Sequence, residues 1–169
     1  MLHKLASTVL FFLVAMTPLA HAEMKIVVLD PVRAILESDE AKVLVEAANS
    51  EMQPDTDELR VQAEEMQGLQ EKLQQDSEVM SDSEKRKAIK EIESMQADLQ
   101  FGSQKLQRMA QEKRQEILQA LAPKLDVVLQ DIIQIDQIDL ILSPGQLQYV
   151  NPKHDISRKV TEKLNEQSE

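Results

Sequence analysis

The 169-residue chain has no cysteine and no tryptophan, three phenylalanines, one tyrosine and three glycines. Without cysteine there can be no disulfide framework, no thiol nucleophile and no lipid anchored through a cysteine. Three scattered glycines leave nothing with which to build a phosphate-cradling loop. Basic residues are also scarce: 19 Lys and Arg stand against 30 Asp and Glu, for a net charge of -11. Such a balance argues against nucleic acid as a partner, since that affinity comes chiefly from neutralising phosphates.

The first 22 residues are set apart from the rest. A short basic start, Met1 to Lys4, precedes the mostly apolar run Leu5 to Met16, and Ala20-His21-Ala22 has the small-x-small form of a secretory cleavage site. The segment is read as a signal peptide cleaved before Glu23. Its alternative, an uncleaved anchor, is disfavoured by the shortness of the apolar run and by Pro18 near its end. Cleavage would remove Lys4, Phe11 and Phe12, leaving 18 basic and 30 acidic residues, a net charge of -12, with Phe101 and Tyr149 the sole aromatics. The core must then be built from Leu, Ile, Val, Ala and Met. No later apolar run approaches the ~18 residues of a membrane span. An exported, soluble, cysteine-free chain is expected in a bacterial periplasm.

What remains is dominated by helix. Lys25 to Asp30 is β-branched and apolar and reads as a buried strand. Pro31 can start a short helix, and Ser38 and Asp39 are candidate caps for a longer one, with Ala41, Leu44, Val45 and Ala48 at 3-4 spacing. Pro54 should kink or briefly break that helix. Beyond it Leu59, Met66, Leu73 and Met80 recur every seven residues, with Leu69 between, while Gln62 and Asp76 occupy other seam positions. The seam is therefore thin by coiled-coil standards.

Residues 75–84 interrupt the repeat, and Ser81 with Glu84 has capping-box spacing. A second helix should start there, with Ile92, Leu99 and Leu106 at sevens beside Ile89, Met95, Met109, Ile117 and Leu121. Each arm of about 40 residues would reach roughly 60 Å. Asp55 to Met80 carries eight acidic and two basic residues, Ser81 to Ala122 seven acidic and eight basic, so folding one on the other relieves self-repulsion.

Pro123 marks a second expected kink. After it Ile138 to Leu142 reads as a strand, Ser143-Pro-Gly145 as a turn and Gln146 to Val150 as a partner strand, giving a hairpin. Asp155 should cap a last helix whose buried stripe is Ile156, Val160 and Leu164. The fold class is α+β: a small β-rich body from which a long helical hairpin projects. The expected boundaries are 1–22 for the leader, 23–39 for a first body segment, 40–122 for the arm with its tip near 76–84, and 123–169 for the rest of the body.

Two features admit paired readings. Met52, Met66 and Met80 are 14 apart, as are Met95 and Met109. These residues either fill the seam or, with Phe101, face inward on an open assembly and give soft contacts to varied clients. The cluster Lys85, Arg86, Lys87 and Lys90 is either a solvated helix start or a contact for an anionic membrane surface or client. Catalysis has little support: after cleavage His154 would be the one histidine, and no nucleophile-base-orienter set can be assembled. Asp126, Asp131, Asp136 and Asp139 match no metal-ligand loop. No cofactor is expected.

The order strand, helical hairpin, strand, strand, helix resembles the Skp/OmpH family of periplasmic chaperones for outer-membrane proteins. The resemblance is carried by Ile26 to Asp30 with Arg33, by Glu37-Ser38 with Glu40, Ala41 and Lys42, and by Asp139 to Leu142. Leu147 and Tyr149, Asp155-Ile156-Ser157, Val160 and Leu164 complete it. It implies a homotrimer whose body would use Ile26, Val27, Val28, Leu29, Leu140, Leu142, Leu147 and Tyr149. It also implies arms that enclose unfolded outer-membrane β-barrel proteins without ATP. Two departures stand out. This chain is acidic where well-known members are basic, and Ile138 stands where an aromatic is usual. A structural spacer or adaptor bridging periplasmic partners is the competing expectation, though a rigid spacer should not tolerate Gln62, Asp76, Gln96 and Ser103 in its seam.

Overall fold

A computed structural model describes residues 24–167; the expected leader lies outside them. The chain runs β1 (Ile26–Val28), α1 (Pro31–Leu36), α2 (Asp39–Gln75), α3 (Asp82–Asp136), β2 (Leu140–Leu142), two short 3-10 turns (Pro144–Gln146 and Pro152–His154) and α4 (Ser157–Glu166). Local chemistry sets most of the boundaries. Asp30 accepts from the Arg33 N–H at 2.9 Å with Pro31 in the first turn of α1, where a missing N–H costs nothing. Ser38 caps α2. At α3 the capping box is complete: Ser81 Oγ accepts from the Glu84 N–H at 3.3 Å, and Glu84 Oε2 accepts from the Ser81 N–H at 2.8 Å.

Neither proline breaks its helix. α2 runs through Pro54 and α3 through Pro123 without interruption. Both prolines are exposed, so each loses a backbone bond on the solvent side while packing continues on the other. Across Pro123 that packing is the buried stripe Ile117, Leu121, Leu125, Val128 and Ile132, which outweighs the local ~3 kcal/mol penalty. Near Pro54, Thr56 Oγ1 donates to the Met52 carbonyl at 3.0 Å.

The expected strand pair at the C-terminal side does not form. β2 is three residues long and pairs in parallel with β1, Ile26 opposite Leu140 and Val28 opposite Leu142. Residues 146–150 lie in no strand: Pro144 opens a 3-10 turn closed by the Leu147 N–H on the Pro144 carbonyl, which carries the chain away from β2. α3 ends on Gln137 in the left-handed region (φ 52, ψ 54), with its N–H on the Ile133 carbonyl.

One aliphatic core joins these parts. Val27 and Leu29 of β1, Ala34 and Ile35 of α1, Ala41 of α2, the α3 stripe, Ile138, and Ile156, Val160 and Leu164 pack together. Its polar groups are satisfied. Ser157, with no exposed surface, accepts from the Asp30 N–H at 2.9 Å, and Thr161 Oγ1 donates to the Ala34 carbonyl at 3.0 Å. Asp155, expected to cap α4, lies one residue before its N-cap and accepts from the Ser157 N–H at 2.9 Å and from Arg33 Nη2 at 2.6 Å.

Candidate functional site: arm, tip and body face

α2 and α3 form an antiparallel hairpin cross-linked by ion pairs over its inner part. Glu40 pairs with Lys124 at the base, Glu51 with Lys113 at 2.9 Å, and Asp55 with Lys105 at 3.3 Å. Contact with Glu51, and then with Glu116, holds the Lys113 ammonium above its usual range. Farther out, Leu59 lies over Gly102, where an added Cβ would come within 2.3 Å of a Leu59 methyl. Glycine thus permits the closest side-chain approach seen at any of the three glycines.

Along the arm, burial nearly disappears. Between Ala48 in α2 and Ile117 in α3, Ala88 alone is buried. Met52, Met66, Met80, Met95 and Met109 are half-buried, as are Leu59, Leu69, Leu73, Ile92, Leu99 and Leu106. Gln62 and Asp76 share that half-buried row, while Phe101 is 66% exposed beside a hollow that Leu59 and Leu106 also line. At the tip, Arg86, Lys87 and Lys90 are exposed and Lys85 half-buried in the first turns of α3. Glu84 beside them is held below the usual carboxylate range by its bonds to the Ser81 hydroxyl and backbone.

The body residues divide into two groups. Val27, Val28 and Leu29 are buried within one chain. Ile26, Leu140 and Tyr149 are exposed, Tyr149 to 78%, while Leu142 and Leu147 are half-buried. Met24, Ile26, Leu147 and Tyr149 border a hollow of about 330 Å³ that His154 also lines. Among the described residues no strand pairs with the outer edge of β2.

Two further hollows flank the arm's base, and sequence periodicity gives no hint of them. One, about 330 Å³, runs from Leu36 to Met52 and Arg114; the other, about 280 Å³, lies between Leu44 and Ala120. Small residues at Ala47, Ala48, Ala110 and Ala120, where the outer seam has Leu or Met, are the signal that could have found them. Among the described residues no group of three His, Cys, Asp or Glu side chains could hold a metal ion, and no helix is long and apolar enough to cross a membrane.

This architecture has known counterparts. The family model for outer membrane protein (OmpH-like) matches residues 25–164. A Skp-like protein of Pseudomonas aeruginosa is 33% identical over 149 residues, covering 88% of this chain and 89% of that one. An OmpH-like protein of Caulobacter crescentus, a candidate outer membrane chaperone, has the same fold with a TM-score of 0.57 at 16% identity, covering 86% of each chain. With a family model spanning both strands, the whole hairpin and most of α4, the chain belongs to the OmpH-like family of outer membrane proteins.

Proposed function

We propose that the chain is an ATP-independent periplasmic holdase that keeps unfolded outer-membrane β-barrel proteins soluble before their insertion. A holdase of this kind binds its clients and catalyses no reaction. The observation that carries the reading is the contrast in burial: a well-packed aliphatic core at one end and an arm with almost none of its own. An α2 of 37 residues would extend roughly 55 Å. Such an arm adds little to the stability of one chain, so its length is accounted for by what it touches.

Three copies assembled through the body would set three arms around a shared space. The exposed group Ile26, Leu140 and Tyr149, the hollow beside them and the open β2 edge supply an apolar face and unpaired backbone for that contact. Val27, Val28 and Leu29 would act from beneath, as core. Within the proposed boundaries, residues 1–22 direct export, 23–39 and 123–169 make the body, and 40–122 make the arm. Half-buried methionines would yield to clients of varied shape, Phe101 would offer an aromatic contact, and the tip cations would meet anionic client or membrane surface.

Dilution of a urea-denatured outer-membrane β-barrel protein into buffer tests the reading by light scattering. A molar excess of the trimer should suppress aggregation with no nucleotide present. Equal aggregation with and without the chain overturns the holdase. A solution mass of one chain at micromolar concentration overturns the trimer.

A further inference from the structure

We propose that the hollow on the Arg114 side of the arm's base is a docking groove for an extended client segment that presents an apolar side chain beside a carboxylate. The proposal rests on the holdase reading and names the chemistry of the segment held. The groove lies where the end of α1 meets the bases of α2 and α3, and Leu36, Val45 and Ile117 give it an apolar floor. Met52 lines it too, alone among the five methionines at the repeat positions. Its thioether can reshape around different side chains. The space exists because Ala48 and Ala110 leave it open; at about 330 Å³ it is of the size of a small-ligand pocket.

Charge selects the occupant. In a chain of net charge -11, this groove's rim carries Lys113 and Arg114. Lys113 is engaged by Glu51 at 2.9 Å and Glu116 at 3.7 Å. Arg114 is exposed and makes no ion pair among the described residues, so its planar fork is available to a carboxylate. Asn49 stands on the rim with an amide suited to a peptide backbone. The second hollow provides a built-in control. It shares Ala48, Lys113 and Ile117, but Glu51 and Glu116 stand at its rim and Arg114 does not, so it should reject the same carboxylate.

Two fluorescein-labelled peptides, one with a Phe-Leu-Asp core and one with Phe-Leu-Lys, would be titrated with the full mature chain and followed by anisotropy. Ala110→Trp fills the proposed groove, and Ala120→Trp fills the control hollow; both positions are exposed. The acidic peptide should bind the more tightly, by roughly fivefold for one solvent-exposed charge pair. Ala110→Trp should abolish that binding, Ala120→Trp should leave it unchanged, and Arg114→Glu should reverse the preference. Equal effects of the two tryptophans, no discrimination between peptides, or a changed oligomeric mass for Ala110→Trp with peptide binding intact would each overturn the groove. Should Ala110→Trp not fold, Arg114→Glu decides alone, and an unreversed preference overturns the proposal. If the wild-type chain holds a denatured β-barrel protein soluble while the peptide effects are absent, the groove fails and the holdase stands. Failure to hold that client strikes the holdase reading whatever the peptides do.

Discussion

Gly102 sets two effects against each other. Glycine inside a helix costs about 1 kcal/mol relative to alanine, yet Leu59 occupies the space where a Cβ would go. Gly102→Ala should therefore change stability little, the propensity gain being offset by displacement of Leu59. In a Leu59→Ala background the same substitution should stabilise by about 1 kcal/mol, and a double-mutant cycle in urea would read the difference. Gln137 is a simpler case, because a side chain in the left-handed region costs roughly 1–2 kcal/mol. Gln137→Gly should raise the urea midpoint, with a gain of about 1 kcal/mol after glycine's greater unfolded-state entropy is counted. Ser157→Ala should lower it by about 1–3 kcal/mol, since the Asp30 N–H would lose its acceptor in a partly buried place.

Among the elements, three of the four helix starts are legible because caps are local, and α4, whose N-cap Ile156 makes no side-chain cap bond, is the exception. Asp30-Pro31, Ser38 and Ser81 with Glu84 each place donor and acceptor within three residues of one another. Strand pairing was less legible because it joins distant residues: β1 finds β2 about 114 positions away, and no alternation in 146–150 reveals that Pro144 turns the chain aside. A brief break at Pro54 does not occur, whereas the helical spacing from Ile117 onward already crosses Pro123, where the buried stripe to Ile132 carries α3 on. Of the candidate site, the methionine row and basic tip could be placed from spacing, whereas the alanine-opened groove needed the two helices brought together. The capping box makes its own prediction. Ser81→Ala should accelerate amide hydrogen exchange in the first turn of α3 and leave exchange around Val128 unchanged.

For the molecule as a whole, two carboxylates make the body's stability sensitive to acid. The bond from Lys159 at 2.6 Å outweighs burial and holds Asp136 below its ordinary value. Burial pushes Asp155 up, but its bonds from Ser157 and Arg33 together carry it down. With both lowered on folding, the unfolded chain binds more protons as the solution is acidified. The stability they contribute is present above the unfolded value near pH 4 and is shed as pH falls through the lower native ones. The urea midpoint should be level from about pH 7 to 5 and fall below about pH 4. Asp155→Asn should start from a lower midpoint and fall less steeply.

α3 is one uninterrupted helix of 55 residues that begins at the tip and ends among the most deeply buried side chains, Val128 and Ile132. It is a lever whose short end is clamped. α2 stops being buried after Ala48, so its outer part can peel or slide with little disturbance to the core. A sideways load on α3 has no such release and becomes a torque on the packing against α1 and α4. A filled arm would thus report its load to the body along a single backbone, and the arm's two helices would have unequal mechanical roles: one bears the load, the other conforms.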